Sequence, residues 1–138
     1  MSQASKLVVL ALIAGTTIGV TGSRLVSAQQ QAIQRTDLLK SELPDVQDNE
    51  MHVWVADIAP GAATGRHSHP TPRFVYVIEG AVVLELDDKP PQTFKTGQAF
   101  VEMPNETHNF RNASSTVSAR ALGFQYAGKG QALQANAR

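Results

Sequence analysis

Cysteine is absent from this 138-residue chain, which excludes disulfides, thiolate metal sites and cysteine nucleophiles together. A net charge is absent too. Lys and Arg number 12, Asp and Glu number 12, whereas a dedicated nucleic-acid binder carries a basic excess. No G-x-G-x-x-G turn, Walker loop or G-x-S-x-G elbow occurs, so the nucleotide and hydrolase chemistries built on them have no foothold. Aromatics are few, at 6%. The longest apolar run, Leu7–Val20, has 14 residues, short of the about 20 that span a membrane. With 42% hydrophobic and 17% charged residues, the chain has the composition of a folded domain rather than a disordered one.

The apolar run follows Lys6 and is followed by Val26-Ser27-Ala28. A basic start, a short apolar stretch and a small-residue end are expected of a secretory signal peptide over 1–28. Cleavage after Ala28 leaves 138 less 28, or 110, residues; Lys6 and Arg24 go with the segment, leaving 10 basic against 12 acidic residues. The expected product is a slightly acidic, exported domain, periplasmic or secreted, with no electrostatic reason to seek nucleic acid and no stable membrane span. An uncleaved anchor is the alternative for this segment.

Residues 29–50 read as a flexible leader or extended arm, in which Leu38, Leu39 and Leu43 tuck against the domain and Pro44 stops any helical turn. From Met51 short apolar runs alternate with turn signals, giving expected strands at 51–59, 64–69, 73–79, 81–87, 92–95, 98–103, 107–112 and 116–126. Pro60-Gly61, Glu79-Gly80, Thr96-Gly97 and the Asp87–Pro91 loop punctuate them. The tail 128–138 reads as flexible. The fold expected is all-β: a single antiparallel β-barrel or jelly roll over 51–127.

His67-Ser68-His69 is the focus for chemistry. On a strand, residues i and i+2 share a face, roughly 6.6 Å apart along it, so both imidazoles can reach one cation. Imidazole suits Fe, Ni, Cu and Zn. Alone, an H-x-H pair is weak evidence for a metal, and two exposed edge-strand histidines are its commoner meaning.

The surroundings sharpen this. Gly61, then five residues, His67-x-His69, and Gly80 resemble the first motif of the cupin superfamily, G-x5-H-x-H-x3,4-E-x6-G. Gly97, Pro104, His108 and Asn112 resemble the second, G-x5-P-x-G-x2-H-x3-N. The resemblance covers 51–127 and is to small, exported, single-domain cupin-2 type proteins. It implies a cupin-like barrel, a divalent transition metal (Fe, Mn, Ni, Cu or Zn) on His67, His69 and His108, a small-molecule ligand and a homodimer. Two departures stand out. Arg73 occupies the place of the motif's metal-binding Glu, and a guanidinium has no lone pair for a metal. In the second motif six residues separate Gly97 from Pro104, and Glu106 stands for the inner glycine.

Glu102 is the candidate to replace the missing carboxylate and the one candidate general base. It is either a metal ligand or the ion-pair partner of Arg73 or Arg111. Arg73 is expected outward, at the rim; inward, it would be a fork for an anionic ligand. Glu85 is expected solvated, His52 an ordinary strand histidine, Tyr76 a donor to a bound ligand, and Asn112 a structural turn residue. Three functions stay open: a metal-dependent enzyme of oxygenase, isomerase or lyase type on a small polar molecule, a non-catalytic metal- or ligand-binding module, and a structural protein with idle histidines.

Overall fold

From Met51 onward short apolar runs bounded by turn residues set most of the elements. A computed structural model describes residues 33–43 and 46–137. The expected signal segment 1–28, and Pro44, lie outside the described residues. The elements are β1 (Ile33–Glu42), β2 (Asn49–Ile58), β3 (His67–Ser68), β4 (Arg73–Glu79), β5 (Ala81–Leu86), β6 (Gln92–Lys95), β7 (Ala99–Glu102), β8 (His108–Asn112), β9 (Ala119–Gly128) and β10 (Ala135–Asn136). They form two five-stranded antiparallel sheets, in the orders β1-β2-β9-β4-β7 and β10-β3-β8-β5-β6. The all-β expectation holds, with the strands divided between two sheets. Among the described residues no helix is long and apolar enough to cross a membrane.

The core lies between the inner faces, where Trp54, Ile58, Val75, Val77, Val82, Leu84, Phe100 and Phe110 pack together. β9 contributes Ala119, Ala121, Gly123, Gln125 and Ala127, all buried. These mostly small side chains leave room between the sheets. Gly123 is the extreme case, since a Cβ there would lie 2.6 Å from the Trp54 ring. The indole therefore packs directly against the backbone of its register partner.

Three expectations at the chain ends are corrected. The leader contains a ten-residue strand, β1, paired along β2. Its backbone hydrogen bonds supply the order that its polar sequence does not advertise. Leu38 and Leu39 do not tuck in; they are 57% and 52% exposed, where the register shifts between Asp37 and Leu39. The tail is not free: β10 pairs with β3, Ala135 opposite Ser68 and Asn136 opposite His67.

On β4, Arg73, Val75 and Val77 point inward and Phe74, Tyr76 and Ile78 outward. The aromatic content divides accordingly. Trp54, Phe100 and Phe110 are core, whereas Phe74, Tyr76 and Tyr126 show on the outer face of their sheet. Asn112 is structural, as expected. Its amide donates to the carbonyls of Ile58, Ala59 and Val117 at 2.9–3.1 Å, and its Oδ1 accepts from Ser114 N at 2.8 Å.

Candidate metal centre

His67 on β3 faces His108 on β8 as its register partner, and His69 follows two residues on, past the end of β3. All three are buried to 1% exposure or less. Their ring centroids form a triangle with sides of 4.5, 4.8 and 5.0 Å. One ring nitrogen from each lies within 4.8 Å of the others. The i, i+2 reading of the sequence thus holds in space, and β8 brings the third histidine to the same point.

Hydrogen bonds fix which nitrogens face one another. Nδ1 of His67 lies 2.9 Å from Gly65 O, Nδ1 of His69 is 2.9 Å from Leu133 O, and Nδ1 of His108 is 2.8 Å from Glu106 O. A carbonyl only accepts, so each Nδ1 must carry a proton and donate it. In the neutral ring the Nε2 atoms are then bare lone pairs. All three Nε2 atoms and Oε2 of Glu102 are buried with no hydrogen-bond partner outside this group of four. That oxygen lies 3.0 Å from His69 Nε2 and 3.6 Å from His108 Nε2.

Glu102 is 3% exposed, and its inward direction follows that of Phe100 two residues earlier. Arg111, the other partner considered for it, is taken by Glu85. Glu85 faces outward as expected, paired with Arg111 and Asn109. His52 is half-buried beside Glu50, away from the cluster.

Arg73 is the main correction. It is 3% exposed and inward, not at the rim. Its Nε donates to Gln125 Oε1 at 3.0 Å, its Nη2 reaches Leu133 O at 3.4 Å, and its Nη1 stands 3.7 Å from Glu102 Oε2. Tyr76, expected as a donor to a ligand, is 43% exposed on the opposite face of the same strand. Both reversals follow from one parity choice, since neighbouring strand residues take opposite faces.

Burial lowers the His67 pKa to about 4 and the Arg73 pKa to about 10. Burial opposes the Glu102 charge, but contacts with His108, His69 and Arg73 outweigh it and hold the carboxyl far below its ordinary range. Burial likewise pulls His108 down, and Glu102 more than reverses this.

The second motif reads differently in space. Counting back from His108, its inner glycine falls at Asn105, not Glu106, and Asn105 has φ of 60°. Asn is among the few side chains that tolerate this region. The interval from Gly97 then has the motif's five residues, with Met103 in the place of its Pro.

Gln125 and Leu133 were missed from the sequence. Gln125, fully buried, accepts from Arg73 and donates to Thr71 Oγ1 at 3.0 Å and Leu133 O at 3.1 Å. A polar side chain in phase with Ala119, Ala121 and Gly123 was its available signal. Leu133 acts through its backbone oxygen, which no pattern announces. Next to the cluster a cavity opens between the sheets, lined by Arg35, Trp54, His67, Arg73, Glu102 and Phe110 among others. Its volume is about 30 Å³.

Residues 54–123 match the family model Cupin_2, described as a cupin domain. Protein SchB of Streptomyces halstedii is 40% identical over 69 residues, and the chain spans about half the length (49%) of this relative. DMSP lyase DddQ from Ruegeria pomeroyi superposes with a TM-score of 0.63 at 18% identity, covering 83% of this chain and 56% of that one. A cupin-like protein from Thermotoga maritima superposes at 0.57 and 21%, covering 70% and 74%. The polyketide cyclase RemF from Streptomyces resistomycificus superposes at 0.55 and 23%, covering 68% and 64%. At these identities the solved structures establish the fold.

Proposed function

The chain belongs to the Cupin_2 family of cupin domains, and on that premise we propose that it binds one divalent transition metal through His67, His69, His108 and Glu102. On this reading it acts there on a small polar molecule. One observation carries the proposal: three imidazole Nε2 atoms and a carboxylate oxygen converge, buried, with no hydrogen-bond partner outside their own group. Buried lone pairs facing one another repel and are costly unless a cation lies between them.

The fit extends outward. Every ring is held by a backbone carbonyl at its far nitrogen, the usual bracing of metal-ligating histidines. When bound, Fe, Mn, Ni, Cu or Zn supplies Lewis-acid chemistry, and the redox-active ions among them electron transfer. The chain's own part is to hold three neutral rings, lower the site's net charge by one through Glu102, and keep Arg73 beside the cavity. The reaction class proposed is oxygenase, isomerase or lyase.

A non-catalytic binding module is the second reading, and cavity size favours it. Space of about 30 Å³ is well below the roughly 300 Å³ of common ligand pockets, so any substrate is small or projects from the mouth. Glu102, once a metal ligand, is also no longer a free base. Export of the domain is part of the proposal and rests on the 1–28 segment pattern alone.

The test is elemental analysis of the chain purified without chelator or a His tag. About one equivalent of a transition metal, lost in His67→Ala and His108→Ala, is expected. A protein that is empty and refuses added metal overturns the reading.

A further inference from the structure

Two arginines stand over the Trp54 ring. The Arg73 guanidinium carbon is 5.0 Å from its centroid and that of Arg35 is 5.6 Å away. Both arginines line the cavity, together with His67 and Glu102. Arg35 comes from β1 at the cavity mouth, where Nη1 and Nη2 both reach Gln134 Oε1 at 3.3 Å. Arg73 comes from the buried inner face of β4. Its Nε and Nη2 are engaged, whereas Nη1 makes no hydrogen bond among the described residues and stands 3.7 Å from Glu102 Oε2. A guanidinium brings five donors, so Arg73 keeps N–H groups to spare beside the cavity.

The charge count points the same way. Among the described residues Glu102 is the one acid lining the cavity, against Arg35 and Arg73, and that negative charge is directed at the three histidines. With a dication in place the cavity carries a marked positive excess. Arg35 is exposed, but the buried part of this charge, Arg73 and the dication against Glu102, is costly unless an anion completes it. The confined space suits a planar two-oxygen group better than a tetrahedral oxyanion, and a planar fork matches it bidentately.

We propose that Arg73, with Arg35 beside the same Trp54 ring, forms a carboxylate-binding subsite beside the histidine cluster, so that the ligand of this protein is a small carboxylate. The inference rests on the metal-centre reading for its charge balance, while the donors are the chain's own.

The experiment is calorimetric titration of the Co²⁺-loaded chain with acetate, its neutral analogue acetamide, and inorganic phosphate, with the visible Co²⁺ spectrum as a second readout. Acetate is expected to bind at least about tenfold more tightly than acetamide, the scale of one charge-assisted hydrogen bond. Arg73→Gln is expected to remove that preference. Arg35→Gln is expected to weaken it several-fold with the Co²⁺ content unchanged, which keeps the test informative if the buried substitution fails to fold. Equal binding of acetate and acetamide overturns the subsite. So does a preference unaffected in Arg35→Gln and Arg73→Gln, because the metal alone would then hold the anion. Tighter binding of phosphate than acetate overturns the assignment to carboxylates. A chain that takes up no Co²⁺ defeats the metal reading instead. The same titration on the metal-free chain then decides the subsite: Arg73-dependent acetate binding upholds it, and no binding overturns it.

Discussion

Arg73 and Glu102 are register partners across β4 and β7, both buried, with Nη1 and Oε2 3.7 Å apart. The first cupin motif places its carboxylate at position 73. Here the carboxylate stands directly across the strand pair, and a guanidinium fills the motif's place. The site therefore keeps an acid beside the histidines while gaining a fixed positive charge next to it.

Exchange of the acid's position is testable. Glu102→Gln is expected to weaken metal binding by about 10- to 100-fold, measured by chelator competition. Adding Arg73→Glu to that variant restores the motif's acid and is expected to bind metal more tightly than Glu102→Gln alone, a positive coupling read from the double-mutant cycle. Unchanged affinity in Glu102→Gln would remove Glu102 from the ligand set.

The tail braces the cluster. Leu133 O lies against His69 Nδ1, Gln125 Nε2 and Arg73 Nη2 at 2.9, 3.1 and 3.4 Å. Deleting residues 129–138 takes away the acceptor that sets the His69 ring. Metal affinity is expected to fall about tenfold or more, with far-UV circular dichroism close to wild type. Full affinity after the deletion would show the brace to be dispensable.

Trp54 is the one tryptophan in the chain and reports its own packing. Gly123→Ala places a methyl 2.6 Å from the indole carbons, so ring or strand must shift. A cost on the order of 1–3 kcal/mol and a shifted fluorescence maximum are expected. Unaltered emission and stability would mean that the indole moves aside freely.

Asn112 ties the end of β8 to two loops. Asn112→Ala leaves the carbonyls of Ile58, Ala59 and Val117 without their shared donor. The expected loss is about 2–3 kcal/mol, seen as a lower urea midpoint at constant m-value. A loss below about 0.5 kcal/mol, the size of a neutral surface change, would show that water replaces the amide.

The histidine pair, the third histidine and the Asn112 turn were legible because the motif residues sit at fixed spacings and strand periodicity puts His67 and His69 on one face. Arg73 was not. In Arg73–Ile78 both alternating sets are largely apolar, so parity alone cannot say which set is inside, and one step reverses Arg73 and Tyr76 together. β1 and β10 were illegible for another reason: their residues are mostly exposed, and edge strands held by backbone hydrogen bonds leave little pattern in side chains.

The sequence by itself thus determined the all-β class, the family and three of the four converging groups, since these depend on local periodicity and motif spacing. Only the tertiary structure decided that Glu102 joins them, that Arg73 turns inward and that Leu133 O braces His69. Each of those depends on the register between strands distant along the chain, which local pattern does not encode.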